Sequence, residues 1–90
     1  MKMKGSMFLH INSVRYLKGY RLEVQFSDGV VKEVDLEEEL YGSVFEPLKS
    51  EEAFRQVYLD EETRTIAWPG GADFAPEFLY EKGKTIRQAA

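Results

Sequence analysis

Among 90 residues there is no cysteine and a single histidine, His10. The absence of cysteine excludes a disulfide framework, a thiolate nucleophile and a thiolate zinc site, and it suits a reducing compartment. One histidine also removes the usual imidazole ligand sets for zinc. No apolar run approaches the ~20 residues that a membrane span needs, and residues 1–6 lack the apolar stretch of a secretory signal. No Gly-x-Ser-x-Gly elbow surrounds any of the five serines (Ser6, Ser13, Ser27, Ser43, Ser50), and no phosphate-cradling Gly-x-x-x-x-Gly-Lys occurs. A chain this short buries only ~60–65% of its unfolded surface, which allows one modest core and no large enclosed cavity. The expected unit is therefore a single domain over residues 1–90, with its core at about 11–82 and frayed ends at 1–6 and 88–90.

What is present is ordinary globular composition with a large aromatic share. Hydrophobic residues make up 43% and charged residues 31%, and six Phe, five Tyr and one Trp supply much of the prospective core. The net charge of −4 is unevenly spread. Residues 1–32 carry six Lys/Arg against Glu23 and Asp28, a net of +4. Residues 33–81 carry fourteen acids against Lys49, Arg55 and Arg64, a net of −11, and residues 82–90 add +3 from Lys82, Lys84 and Arg87. The middle should repel phosphate backbones and suits partners with basic faces. The two ends would form a basic patch (Arg15, Lys18, Arg21, Lys82, Lys84, Arg87) if folding brings them together.

The strand signals come early in the chain. Ile11–Leu17 places Val14 and Tyr16 on one parity, and Lys18-Gly19 marks a turn. Leu22, Val24 and Phe26 alternate with Arg21, Glu23 and Gln25, the period of a half-buried strand. Asp28-Gly29 followed by Val30–Val34 predicts a hairpin. A two-residue loop sets Phe26 opposite Val31 and Val24 opposite Glu33, and a bulge in the third strand would rescue that pairing. A three-residue loop, with Gly29 left-handed, sets Phe26 opposite Val30 and Leu22 opposite Val34, keeping more apolar side chains on one face.

Asp35 and Glu38 match a capping box for a short helix with Leu36 and Leu40 on one face and Glu37–Glu39 near its positive end, stopped by Gly42. Ser50 predicts a second short helix with Phe54 and Val57 inward. Val57–Leu59 and Thr65–Trp68 read as two strands around the polar turn Asp60–Arg64. A third helix spans Pro76–Tyr80, with Pro at its first position, Lys82 toward its negative end and Gly83 just past it. The order β-β-β-α-α-β-β-α suits an α+β fold: a small antiparallel sheet of about five strands with short helices packed on one face.

Candidate chemistry is sparse. His10 has no sequence neighbour that would orient it as a general base and reads as a half-exposed residue at the start of a strand. Glu37–Glu39 fan about 100° apart on a helix and cannot converge on one ion, and Asp60–Glu62 lacks calcium-loop spacing. These observations give no catalytic residue, no metal ligand and no cofactor, and they point away from an enzyme. The unusual stretch is Trp68-Pro69-Gly70-Gly71-Ala72-Asp73-Phe74, where Pro69 holds Trp68 extended and the glycines permit a sharp reversal. It reads as a strand-to-helix connector packing Trp68 and Phe74 on the sheet, with Asp73 accepting N–H groups where the last helix begins. An exposed Trp68, beside Asp73, would instead mark a protein-binding anchor.

In order along the chain, Phe26-Ser27-Asp28-Gly29, Val34-Asp35-Leu36, Val44-Phe45-Glu46-Pro47-Leu48, Phe54, Ile66–Asp73 and Phe78-Leu79-Tyr80 resemble the bacterial domain of unknown function 2442 family, over about Ile11–Tyr80. The resemblance implies a small cytoplasmic α+β domain with an antiparallel sheet, without catalytic residues to transfer. Some members carry a C-terminal helix-turn-helix, for which Glu81–Ala90 is too short, and members are suspected of acting beside a small partner in toxin–antitoxin-like pairs. The expected function is a non-catalytic protein-interaction or regulatory module with a protein partner, off the membrane, monomeric or homodimeric. The alternative is a nucleic-acid-associated regulator that uses the basic terminal segments.

Overall fold

The alternating segments fold as their periodicity requires. In the computed structural model, which describes residues 9–88, β1 (Ile11–Lys18), β2 (Arg21–Phe26) and β3 (Val30–Asp35) form an antiparallel meander. Leu22, Val24, Phe26 and Val34 are all fully buried on one face, each contributing about 1.5–3 kcal/mol of transfer free energy. The hairpin takes the three-residue loop: Leu22 lies opposite Val34 and Val24 opposite Lys32. Gly29 has φ +91° and donates its N–H to the Phe26 carbonyl at 2.9 Å. Asp28 secures the same loop by accepting from the Val30 N–H at 3.0 Å.

The sheet differs from the expected single array of about five strands. Its fourth strand is β6 (Lys84–Gln88), giving the order β1-β2-β3-β6, while β4 (Tyr58–Asp60) and β5 (Thr65–Ala67) form a separate two-stranded sheet. β6 closes the element order, which the expected β-β-β-α-α-β-β-α omits. All five β6 residues are exposed, so its sequence lacks the alternation by which strands are recognised. Gln88 belongs to this strand, opposite Val30. The expectation of frayed ends at 1–6 and at the last two residues falls outside the described residues. The β4-β5 hairpin packs beside β1, whose Ile11 N–H donates to the Arg64 carbonyl at 2.9 Å. Thr65, Ile66 and Ala67 are buried in succession, as in a strand covered on both faces.

The helical segments are shorter than the capping patterns suggest. Asp35 does not cap an α-helix. Its carboxylate accepts from the Glu37 N–H at 3.0 Å, an Asx turn that leads into a 3-10 turn at Glu37–Glu39. A second 3-10 turn, Glu46–Lys49, precedes α1 (Glu51–Phe54), where Ser50 Oγ accepts from the Ala53 N–H as a true N-cap. α2 (Pro76–Lys82) begins with proline as expected. Its N-cap is Ala75 without a side-chain bond, so Asp73 does not cap it and instead bridges Ala67 through the backbone. Gly83 ends α2 at φ −75°. Its need for glycine is steric, because a Cβ there would meet Val34 Cγ2 at 2.9 Å and the Leu79 carbonyl at 3.1 Å. One hydrophobic cluster joins the sheet face to Leu36, Leu40, Leu48, Phe54, Ile66, Trp68 and Leu79.

Candidate functional site

Trp68 lies inside. Its side chain is 1% exposed, and its indole N–H donates to the Phe54 carbonyl at 2.7 Å, which takes its ring off the surface. Gly70 and Gly71 have φ of +105° and +102°, and the reversal they allow lets Trp68 N–H reach the Ala72 carbonyl at 3.0 Å. Thr65 Oγ1 donates to the Phe74 carbonyl at 2.7 Å, pinning the outgoing chain across β5. The connector is thus tied down from both sides, and Asp73 is left exposed next to Phe74.

What the stretch presents outward is phenylalanine. Phe74 stacks on Phe45 (centroids 4.8 Å apart, planes 27°) and on Phe78 (5.3 Å, 13°). Beneath, Trp68 meets Phe74 edge-on at 5.9 Å and Phe54 at 5.4 Å. Offset and edge contacts of this kind add about 0.5–1.5 kcal/mol each beyond area burial and hold the rings in place. All three phenylalanines are half-buried and packed against the core. Gly42 (φ +86°) opens the turn before Phe45, in which Val44, next to Phe45 in sequence, is 55% exposed and Tyr41 68%. Glu46, Asp73 and Glu77, each next in sequence to one phenylalanine, are exposed. Sequence reasoning named Phe74 only as core packing, and Phe45 and Phe78 only among the residues that carry the family resemblance. The spacing of four between Phe74 and Phe78 was the available signal.

The basic residues do come together, though not as a continuous patch. Arg15, Arg21, Lys84 and Arg87 lie on the outer face of the four-stranded sheet, by the register Arg15–Glu23–Glu33–Lys84 and its neighbours. Carboxylates interleave with them: Glu23 pairs with Arg15 at 2.9 Å and Arg87 at 3.7 Å, and Arg21 reaches Asp35 at 3.3 Å and Glu33 at 3.5 Å. Lys18 sits opposite Arg21 at the hairpin end, and Lys82 pairs with Glu39 at 3.5 Å. A groove of about 450 Å³ beside β6 is lined in part by Lys84 and by Arg21, Glu33 and Asp35, of which Arg21 pairs with both carboxylates.

His10 is half-buried, and its Nε2 lies 2.8 Å from the Arg64 guanidinium. Arg64 holds φ +62°, the left-handed region, and its N–H donates to Asp60 at 2.7 Å. Tyr80 donates its hydroxyl to Asp28 at 2.6 Å, a bond that with partial burial raises the phenol above its ordinary pKa of 10.0. Lys32 lies 4.0 Å over the Tyr80 ring and donates to the Tyr80 carbonyl, so α2 is latched to β3 as well as to the β2-β3 loop. Among the described residues no three His, Asp or Glu side chains gather as a metal-holding group, and no helix is long and apolar enough to cross a membrane.

Comparison with known proteins returns one result. No curated protein and no solved structure matches the chain. A family model for proteins of unknown function, DUF2442, matches residues 11–85, from the start of β1 to the second residue of β6. With most of its length inside that match, the chain belongs to the DUF2442 family.

Proposed function

We propose that this domain is a non-catalytic protein-interaction or regulatory module of the bacterial cytoplasm, working beside a partner in the manner of a toxin–antitoxin pair. The observation that carries the reading is the Phe45–Phe74–Phe78 stack, a ridge of half-buried rings at the margin of the core, with Trp68 against Phe74. Aromatic side chains are enriched at protein interfaces, where they add contact area at low entropic cost. The groups that would have to do chemistry are engaged in holding the fold: Tyr80 on Asp28, Thr65 on the Phe74 carbonyl and His10 beside Arg64. A nucleic-acid role is the weaker reading, because Glu23, Glu33 and Asp35 sit among the cations that would meet phosphate.

Affinity capture from a lysate of the source organism tests this. Wild type should retain a specific protein that Val44→Asp and Phe78→Ser both lose. Retention by both variants, or no specific protein at all, would reject the reading.

A further inference from the structure

The ridge has a charge as well as a shape, and the two together select a class of partner. In the chain Glu46 follows Phe45, Asp73 precedes Phe74 and Glu77 precedes Phe78, and all three acidic residues are exposed. Lys49 engages Glu46 at 3.4 Å, whereas Asp73 and Glu77 form no ion pair among the described residues. Segment 33–81, to which all three phenylalanines belong, carries a net charge of −11 along the sequence. We infer that the Phe45–Phe74–Phe78 ridge docks a cationic segment of a partner protein, whose apolar side chains lie on the rings while its Lys and Arg residues meet Asp73, Glu77 and Glu46. This rests on the protein-interaction reading and adds the chemistry of the occupant.

The physical argument is complementarity. Opposite charges around an apolar centre raise the encounter rate and penalise wrong partners, while the desolvated aromatic centre supplies most of the affinity. An acidic partner would place like charges against Asp73 and Glu77. A nucleic acid would bring phosphates to the same carboxylates, so the stack is no base-stacking platform despite its parallel rings. The ridge is also preorganised. Phe74 is held at its carbonyl by Thr65 and at its ring by Trp68, so docking orders little of the chain.

The test is an NMR titration of the full chain with three synthetic amphipathic peptides of equal length: Leu/Lys, Leu/Glu and Ser/Lys. The Leu/Lys peptide should shift the Phe45, Phe74 and Phe78 ring signals, and raised salt should weaken its binding. In the Asp73→Lys/Glu77→Lys variant its affinity should fall about tenfold or more, a loss of about 1.4 kcal/mol or greater. Both positions are exposed, so the variant should keep the wild-type spectrum elsewhere. If the Leu/Glu peptide binds the ridge as tightly, the charge assignment fails while the ridge stays a docking surface. If Ser/Lys binds as well as Leu/Lys, the rings contribute nothing and the inference fails. Shifts centred on β6, or on no surface at all, also overturn it, and the capture experiment then decides separately whether the domain has a partner.

Discussion

The Trp68 indole donates to the Phe54 carbonyl at 2.7 Å, tying the end of β5 to the last residue of α1 inside the core. That bond helps hold the only tryptophan off the surface, while Phe74, in ring contact with it, is half-buried. The Phe54 carbonyl also receives the Val57 N–H at 3.3 Å, so loss of the indole does not leave it unpaired. Trp68→Phe should therefore cost about 1–2 kcal/mol from the lost bond and volume, and Trp68→Ala about 3–5 kcal/mol. Urea denaturation measures both, and wild-type tryptophan emission should be blue-shifted relative to the unfolded chain.

Gly83 should tolerate no side chain. Its φ of −75° suits any residue, so a mild effect of Gly83→Ala would contradict the close approach of α2 and β3. A methyl at 2.9 Å from Val34 Cγ2 and 3.1 Å from the Leu79 carbonyl forces the packing around it to shift, at a cost of about 1–3 kcal/mol. Thermal denaturation should show a lowered Tm for this variant.

The Tyr80–Asp28 bond gives stability a dependence on alkaline pH. The folded phenol titrates above its unfolded value of 10.0, so its contribution is whole below pH 10 and is lost as pH rises through the folded value. Tyr80→Phe should cost about 0.5–1.5 kcal/mol at neutral pH and should flatten that alkaline decline. Denaturant midpoints from pH 7 to pH 11 for both proteins compare the slopes.

The interleaved charges of the outer sheet face predict no useful nucleic-acid binding. A mobility-shift titration at low salt should show no retention, and Glu23→Gln, which frees Arg15 and Arg87, should introduce weak, salt-sensitive retention. As these pairs are exposed, the same change should alter stability by less than about 1 kcal/mol.

How much of this was legible in the sequence depends on what each residue faces. The meander was readable because Leu22, Val24 and Phe26 bury one face against water, and period-two burial leaves a period-two pattern. β6 was not readable, because no residue of Lys84–Gln88 is buried and the strand is specified by its pairing to β3 and by the close pass at Gly83. The division into two sheets also escaped, since β4 and β5 carry three residues each and their packing beside β1 is a tertiary choice. At the candidate site, the glycine reversal could be foreseen from Gly70-Gly71. The ridge could not, because Phe45 reaches Phe74 only through a 3-10 turn and loop whose path no local propensity sets.

The most direct test compares quantitative partner capture by three folded forms: wild type, a ridge variant (Val44→Asp with Phe78→Ser) and a strand-edge variant (Lys84→Glu with Arg87→Glu). The account predicts that the ridge variant loses the partner and the strand-edge variant keeps it. Capture that survives on the ridge variant and vanishes with β6 would contradict it.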